Sequence, residues 1–367
     1  MTDLEPASGP MVVLRPRERP TVAYSDLDYS IAVETARDLL EAVPGNTRRA
    51  YDRAWDQFAR WCAGSGRVPM PATPQTMAEY ARLLCDVIGF APATVGQALA
   101  AIASVHTDNG YKGEPDAHEA HVLLRAYRRA WAKGGGRTRQ RTPILVPDLR
   151  AAVDTCDPAT PAGIRDRALL LIGFNIMGRR SEVSDLDISD LLPAGEEGID
   201  VFIAASKTDQ GAEGVAVPVP YGQHERTCAV RAVRDWAALL AAEGFTTGPL
   251  FRPVDRHGRI GGDPRAAGHA QSRLTGHGIN EIVRSRARLA DLPAGRKGPR
   301  QQEGEAAQYN YGAHSLRSGA ATTAYAAGAP VSAIAELGRW NPKSPVLLGY
   351  IRSVDKWRNH PMKGTGL

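Results

Sequence analysis

The first 133 residues place apolar side chains at the three- and four-residue spacing of packed helices. This spacing predicts four helices, which open near Asn46, Thr73, Pro92 and Asp116. Their apolar stripes are Tyr51, Trp55, Phe58, Trp61 and Cys62; Met77, Tyr80, Leu83 and Leu84; Val95, Leu99, Ile102 and Val105; and Leu123, Leu124, Tyr127 and Trp131. Aromatic stripes can also stack on nucleic acid bases, but helical spacing favours a packed core.

The remainder of the chain mixes helical and strand patterns. Residues 165–174 become almost continuously apolar, which predicts a buried helix, and residues 177–183 predict a turn into another helix. Two β-prone runs, 201–209 and 214–220, flank a polar turn that contains glycine, which predicts a β-hairpin. The predicted fold class is therefore mainly α, with two domains and a small antiparallel β-sheet in the second.

A short basic segment separates these two regions. Residues 133–141 contain four cations, no acidic residue and three consecutive glycines, a composition that does not hold a helix. We predict a mobile N-terminal tail, a helical domain, a basic glycine-rich linker and a mostly helical second domain with a C-terminal tail. Their bounds are 1–24, 25–133, 134–145 and 146–367.

The length and composition of the chain limit its domain number, its partner and its compartment only modestly. A chain of 367 residues fits two domains. The 45 lysines and arginines exceed the 40 acidic residues, giving a formal net charge of +5. This charge favours a polyanionic partner, although many proteins carry a similar excess. The four cysteines form no paired motif, which fits a reducing compartment: Cys62, Cys85, Cys156 and Cys228.

The sequence indicates neither a membrane segment nor a cofactor. No apolar run is long enough to span a bilayer, and residues 11–14 are too short for a secretory signal core. His118 and His121 do not have the spacing of the zinc protease motif, so we interpret them as helix-surface residues. We predict a cytoplasmic protein with no metal and no bound cofactor.

The last fifth of the chain carries the candidate chemistry. His314 and Arg317 are three residues apart on a predicted helix, so both can face one phosphate group. Tyr350, further downstream, could be a nucleophile that such a pocket activates. Arg179 and Lys207 are candidate cationic partners from the preceding regions. His-x-x-Arg alone is a weak signal, whereas the ordered set is a strong one.

These residues, in chain order, resemble the tyrosine recombinase (phage integrase) family, and its Cre-like members in particular. The family pattern is Arg, Lys, His-x-x-Arg, His or Trp, and Tyr. The corresponding residues here are Arg179, Lys207, His314, Arg317, Trp340 and Tyr350. Residues 248–252 and 279–284 support the resemblance, which covers residues 45 to 355. It implies a DNA-binding (SAM-like, core-binding) first domain and a catalytic second domain.

The resemblance also implies a role for each residue. Arg179 and Arg317 would hold the non-bridging phosphate oxygens, for which a guanidinium is better shaped than an ammonium. Glu182 would orient these arginines, although an ordinary helix ion pair explains Glu182 nearly as well. The adjacent Arg180 keeps one alternative open, because either arginine could be the one in the pocket.

The remaining roles concern proton transfer. The resemblance implies that Tyr350 attacks the phosphorus and that His314 accepts or relays its proton. Lys207 would protonate the leaving 5′ oxygen, and the indole N–H of Trp340 would bind a phosphate oxygen. A free tyrosine has a pKa near 10, so we expect the cationic pocket to lower the pKa of Tyr350. Pro342 and Pro345 predict a short turn before the tyrosine helix.

The implied activity is site-specific DNA recombination. The protein would cleave and rejoin DNA through a 3′-phosphotyrosine intermediate and a Holliday junction, as a homo-tetramer on two sites. Its partner would be double-stranded DNA carrying a recombination site, without a small-molecule substrate, ATP or metal. Two alternatives stay open: DNA relaxation by a type IB topoisomerase, and a DNA-binding regulator without catalysis.

Several arginines are candidate DNA contacts outside the catalytic set. Arg48 and Arg49 lie on the first predicted helix, and Arg137, Arg139 and Arg141 lie in the linker. In the family interpretation they reach phosphates. In the simpler interpretation they are solvated surface charges.

Overall fold

A computed structural model describes most of the chain. The described residues are 25, 30–41, 45–136, 141–204, 214–266, 272–293, 310–341, 343–358, 362 and 365. The chain divides into two compact units, residues 1–136 and 137–367. The predicted N-terminal tail, 1–24, lies outside the described residues.

The first unit is helical. Its helices are α1 (Val33–Glu41), α2 (Gly45–Gly64), α3 (Pro74–Arg82), α4 (Pro92–Asp108) and α5 (His118–Lys133). The four helices predicted from the apolar spacing are thus confirmed as α2 to α5. Helix α3 begins as its sequence indicates, because the Thr73 hydroxyl accepts a hydrogen bond from the Thr76 amide at 3.2 Å and Pro74 fills the first turn.

The aromatic stripe of the first unit is core, as predicted. Phe58, Met77, Tyr80 and Leu99 are buried, and the Phe58 and Tyr80 rings meet edge to face with centroids 5.0 Å apart. Edge-to-face packing is a favoured aromatic geometry. These rings therefore stabilise the first unit as part of its packed core.

Two residues predicted to be in the core, Leu123 and Val105, are not fully buried in the structure. Leu123 is 39% exposed, because Ala120 and Leu124 occupy the buried face of α5. On α4 the fully buried residue is His106, whereas Val105 is only partly buried. The His106 ring bonds the Ala72 amide at 2.9 Å and the Ile102 carbonyl at 2.8 Å, which satisfies both ring nitrogens of a neutral imidazole.

The second unit contains an antiparallel sheet. Strands β1 (Leu191–Pro193), β2 (Gly198–Ile203) and β3 (Val215–Pro220) lie in the order β1-β2-β3. Val201 is paired with Leu191 on one side and with Val217 on the other. The predicted hairpin is confirmed. Its connecting residues, 205–213, lie outside the described residues, and Lys207 is among them.

Helices form most of the second unit. They are α6 (Val146–Asp154), α7 (Pro161–Asn175), α8 (Arg180–Asp185), α9 (Ala229–Ala242), α10 (Gly276–Leu289), α11 (Ala313–Ala326), α12 (Val331–Gly338) and α13 (Pro345–Arg358). The predicted buried run is α7, whose residues 168–173 are all buried. Pro345 opens α13, so the predicted turn before the tyrosine helix is present.

Close contacts with α7 and α10 hold α11, the helix that carries His314 and Arg317, against the core of the second unit. Gly173 on α7 faces Leu316 on α11, and a side chain on Gly173 would start 3.2 Å from the nearest Leu316 methyl group. Helix α10 contributes Asn280, whose side-chain oxygen accepts a hydrogen bond from the Ala313 amide at 2.9 Å. Asn280 therefore binds one of the amides that the first turn of α11 leaves without a helical partner.

No helix in the described part of the chain has both the length and the apolar character needed to cross a membrane. The four cysteines are free thiols and all are buried, as expected for small core residues. His118 and His121 lie exposed on α5, as predicted.

Candidate active site

Arg179 lies immediately before α8 with an extended backbone, at φ −72° and ψ 152°. Its amide donates to Oε2 of Glu182 at 2.8 Å, and its Nη1 donates to Oε1 of the same carboxylate at 2.5 Å. Its Nη2 donates to the Arg339 carbonyl at 3.1 Å. Because Glu182 occupies the third position of α8, it binds both the cap amide and the guanidinium of Arg179.

The neighbouring Arg180 is placed differently. Its side chain is exposed and packs against Gly276, where a Cβ would lie 2.9 Å from the Arg180 Nε. Side chains one residue apart on a helix diverge. The structure therefore brings Arg179, and not Arg180, together with Glu182.

Glu182 is the acidic centre of the site. Its side chain is 1% exposed, and its carboxylate lies 2.6 Å from Arg339 Nη2 and 4.0 Å from Arg317 Nη1. Burial raises the pKa of Glu182. The hydrogen bond and charge of Arg339, together with the hydrogen bonds from Arg179, lower this pKa by more, so the net shift is downward. Glu182 is thus a shared anion, and not only the partner of one helix ion pair.

Arg317 is buried on α11. It donates through Nη1 to the Met177 carbonyl and through Nη2 to the Gly338 carbonyl. Its guanidinium carbon lies 3.8 Å from the centre of the Trp340 ring, a cation–π contact. Burial and the nearby Arg179 lower the pKa of Arg317 to about 9, so the side chain is still charged at neutral pH.

Tyr350 contacts His314. The Tyr350 hydroxyl lies 2.6 Å from Nε2 of His314, within hydrogen-bonding distance. The Tyr350 ring also meets Trp340 edge to face, with centroids 6.0 Å apart. Helices α11 and α13 thus bring together two residues that are 36 positions apart in the sequence.

The pKa shifts of His314 and Tyr350 indicate the protonation state of each side chain. Partial burial lowers the pKa of His314, and the charges of Arg317 and Arg141 lower it further. Burial raises the pKa of Tyr350 more than Arg317 lowers it, so the expectation of a lowered tyrosine pKa is wrong for this protein. Both directions favour a protonated phenol beside an uncharged imidazole at neutral pH.

Arg141 lies beside the same helix. Its Nη1 donates to the Tyr311 carbonyl at 3.1 Å and to Oδ1 of Asn310 at 3.4 Å. The adjoining backbone continues this contact, because the Thr142 amide donates to the Asn310 carbonyl at 3.1 Å. Arg141 is predicted as a DNA contact, and the structure shows it bound to the segment that leads into α11.

Five of the predicted residues are outside the described part of the second unit or belong to the first unit. Lys207, Arg137 and Arg139 lie outside the described residues. Arg48 and Arg49 lie on α2 in the first unit, where Arg48 is half-buried and Arg49 is exposed. The DNA contacts predicted for these residues stay predictions.

Sequence reasoning missed two residues of the site. Arg339 binds Glu182, and Asn280 binds the first turn of α11. The sequence did contain a signal that Arg339 belongs to the site, since this charged residue directly precedes the predicted site residue Trp340. Its partner, however, is 157 positions away in the sequence.

The cluster is suited to an anionic tetrahedral group. Arg179 and Arg317 supply positive charge, and the Tyr350 phenol lies within hydrogen-bonding distance of His314. Preorganised cations of this kind stabilise developing negative charge. No group of three or more His, Cys, Asp or Glu side chains is placed to hold a metal within the part of the chain that the structure describes.

Two curated proteins are similar in sequence. An "Integrase/recombinase xerD homolog" of Selenomonas ruminantium is 29% identical over 294 residues, which is 80% of this chain and 78% of the relative. "Tyrosine recombinase XerC 2" of Ralstonia nicotianae is 28% identical over 156 residues, 42% of this chain and 44% of the relative. No protein-family model matches the chain.

Solved structures are similar in fold. A lambda integrase dimer bound to a COC′ core site matches with a TM-score of 0.53 at 12% identity, over 87% of this chain and 93% of that one. The Tn1549 transposon integrase in complex with transposon right end DNA matches with a TM-score of 0.52 at 12% identity, over 88% and 95%. At this identity the likeness concerns the fold alone.

The predicted resemblance to the tyrosine recombinase family is confirmed by the curated relatives. The predicted fold class is confirmed by the helical units, the small antiparallel sheet and the similar structures.

Proposed function

We propose that this protein is a site-specific DNA recombinase that cleaves and rejoins double-stranded DNA through Tyr350. The observation that carries this proposal is the 2.6 Å contact between the Tyr350 hydroxyl and His314, beside the buried guanidinium of Arg317. A nucleophile hydrogen-bonded to a base, next to fixed cations, is the arrangement that phosphoryl transfer needs.

The cleavage step uses groups of this chain. The Tyr350 oxygen attacks the phosphorus, the bond between phosphorus and the 5′ oxygen breaks, and the phenolic proton passes to Nε2 of His314. Lys207 protonates the leaving 5′ oxygen. The products are a 3′-phosphotyrosine and a free 5′ hydroxyl.

Rejoining reverses these events. The 5′ hydroxyl of another strand attacks the same phosphorus and gives its proton to Lys207, while the bond to Tyr350 breaks. The proton on His314 returns to the phenolic oxygen. The phosphotyrosine link conserves the energy of the cleaved bond, so rejoining needs no ATP, and Arg179 and Arg317 take the charge-stabilising role that a metal ion has in many nucleases.

Arg179 and Arg317 supply the electrostatic part of catalysis. The transition state adds negative charge to the non-bridging oxygens, and a donor aimed at such charge contributes about 10²–10³-fold in rate. Trp340 completes the pocket, where its ring packs on Arg317 and its indole N–H is proposed to bind a phosphate oxygen.

The assembly follows from the same proposal. We assign residues 25–133 to a core-binding domain, 134–145 to a basic linker and 146–367 to the catalytic domain. Arg48, Arg49, Arg137, Arg139 and Arg141 are proposed to contribute to the DNA-binding surface. Four protomers on two sites in the cytoplasm would exchange strands through a Holliday junction. Two similar structures support a DNA partner, since both were solved with DNA.

Trapping the covalent complex tests the proposal. Cells that express the protein are lysed in detergent, protein-linked DNA is recovered, and its ends are sequenced. We expect the wild type to yield DNA with a common junction sequence and Tyr350→Phe to yield none. An adduct with Tyr350→Phe would contradict the assignment of the nucleophile.

A nicked oligonucleotide that carries the recovered sequence then separates the alternatives. A recombinase forms an adduct on this DNA and exchanges strands between two copies. Relaxation of a supercoiled plasmid that lacks the sequence would indicate a topoisomerase. Binding without any adduct would indicate a regulator.

A further inference from the structure

Arg339 has a backbone conformation that favours glycine. Its φ is 55° and its ψ is 45°, in the left-handed region, at the position that ends α12. Helices commonly end with a glycine in this conformation, because a side chain is strained there. A glycine, Gly338, directly precedes this position, yet the strained position itself holds an arginine. A strained residue is maintained where its side chain does something that glycine cannot.

The Arg339 side chain is directed inward. Its Nη2 lies 2.6 Å from Oε2 of Glu182 and 3.1 Å from the Ile176 carbonyl, and its Nη1 donates to the Leu337 carbonyl at 2.8 Å. The side chain is 7% exposed. Arg339 therefore binds the acidic centre of the site through Glu182.

The backbone around Arg339 holds the two phosphate-binding arginines. The Arg339 carbonyl accepts from Arg179 Nη2 at 3.1 Å, and the Gly338 carbonyl accepts from Arg317 Nη2. Trp340 packs on the Arg317 guanidinium. Residues 338–340 thus contact Arg179 and Arg317 directly, while the Arg339 side chain holds the carboxylate near both.

We propose that Arg339 is a positioning residue, which fixes Glu182 and the 338–340 turn so that Arg179 and Arg317 are set at the spacing of one phosphate group. This inference rests on the proposed recombinase function. It adds a third arginine whose effect on cleavage passes through Glu182 and not through the DNA. A purely structural role, in which Arg339 only stabilises the fold, is the competing explanation.

The first test replaces Arg339 with glycine, which relieves the backbone strain and removes the guanidinium. Asp291→Gly is the matched control, since Asp291 is exposed, lies outside the site and has a φ of 49°. We expect Arg339→Gly to stay folded with a lowered Tm, because relief of the backbone strain offsets only part of the loss of the buried ion pair. We expect its single-turnover cleavage of the nicked oligonucleotide to fall about 30-fold or more. Its DNA affinity should change less than about threefold, because many phosphate contacts remain.

The pH profile separates positioning from stability. Arg179, Arg317 and Arg339 are the described charges that face Glu182, and only the last is removed. Without it the pKa of Glu182 rises. Since cleavage needs both a neutral His314 and an ionised Glu182 that holds Arg179, the acid limb of the rate profile should be steeper for Arg339→Gly than for the wild type. A structural role would lower the rate equally at every pH.

A double substitution tests the route through Glu182. If Arg339 acts through this carboxylate, then adding Arg339→Gly to Glu182→Gln should lower cleavage much less than the same change in the wild type. Full additivity of the two losses would overturn the proposal. So would wild-type cleavage and an unchanged profile in Arg339→Gly.

Arg339→Lys covers the case in which the glycine variant does not fold. Lysine keeps the charge but loses the planar fork that spans Glu182 and the carbonyls. Slower cleavage at an unchanged Tm supports positioning, and wild-type cleavage overturns it. Absence of an adduct with the wild type on its recovered DNA would instead overturn the recombinase function itself, so the two failures are distinct.

Discussion

The carbonyl oxygen of Ile144 occupies the space in which a side chain on Gly319 would begin. Ile144 lies just before α6, and Gly319 lies in the middle of α11, two residues after Arg317. The Ile144 amide also donates to the Ser315 carbonyl at 2.9 Å. The segment that enters the second unit is therefore in direct contact with the helix that carries His314 and Arg317.

Gly319→Ala should destabilise the second unit. The added methyl group would displace the Ile144 backbone, and overpacking of this kind costs about 1–3 kcal/mol. The better helix propensity of alanine offsets at most about 1 kcal/mol of this loss. Chemical denaturation should show the lower free energy of unfolding. Gly349→Ala is the stability control, because Gly349 is also helical but, outside its own helical turn, no atom of the described residues lies within 4 Å of the place its Cβ would take. An equal or higher stability of Gly319→Ala would contradict the close contact.

Cleavage should persist at mildly acidic pH. His314 must be neutral to accept the phenolic proton, and its pKa lies below the ordinary value near 6.5. The cleavage rate should therefore fall only when the pH is lowered well past that value. Because the charge of Arg141 helps to lower the pKa, Arg141→Gln should move the fall to higher pH.

The control for this profile is Arg128→Gln, an exposed arginine on α5. It removes the same charge from the first unit and should leave the acid limb of the rate profile unchanged. Identical acid limbs for Arg141→Gln and the wild type would show that Arg141 does not influence the base.

Arg317→Lys should separate binding from catalysis. A lysine has no planar fork with which to donate to both the Met177 and Gly338 carbonyls while stacking on Trp340. We expect nearly normal DNA affinity and single-turnover cleavage about 100-fold slower or more. Arg226→Lys, at an exposed ion pair with Asp154, makes the same change on the surface and should cleave normally. Wild-type cleavage by Arg317→Lys would refute its proposed role.

Glu182→Gln should destabilise the second unit strongly. The substitution leaves buried arginine charge without its anion, which costs about 3–5 kcal/mol when one partner of a buried pair is removed. Glu281→Gln is the matched surface change, since the ion pair of Glu281 with Arg284 is nearly half exposed and should contribute about 1 kcal/mol or less. Equal unfolding free energies for the two variants, measured in denaturant, would contradict the central role of Glu182.

The pH dependence of stability has a defined sign at Glu182. Its pKa in the folded protein lies below the ordinary value near 4.3, so the unfolded chain binds protons more readily. The stabilisation is complete above that ordinary value and is lost as the pH falls through the folded-state pKa. Acid denaturation of the wild type should begin in this range, and it can be followed by circular dichroism.

Regular periodicity made much of the fold predictable. The stripes of α2 to α5, the apolar run of α7 and the hairpin of β2 and β3 all reflect local spacing. The prediction for Leu123 is wrong because α5 buries only the face that carries Ala120 and Leu124, and pattern alone does not choose between adjacent leucines. His106 was not predicted in the core, since its burial depends on the Ala72 amide 34 positions away.

The sequence predicts those residues of the site that short motifs and their order along the chain define. The spacing of Arg179 and Glu182 and of His314 and Arg317 is local, whereas the partner of Arg339 is fixed only by the fold. The direction of the pKa shift at Tyr350 was also out of reach. It depends on how far burial outweighs Arg317, which a sequence does not contain.

The backbone contacts of residues 141–144 have a practical consequence for dividing the molecule into its two units. Arg141 binds the Tyr311 carbonyl, and Thr142 and Ile144 bond the backbone at Asn310 and Ser315. A truncated fragment that starts at Val146, where α6 begins, would lose this whole edge and expose the back of α11. Proteolytic or recombinant separation of the two units should therefore cut before Arg141 if the excised half is to retain its native chemistry.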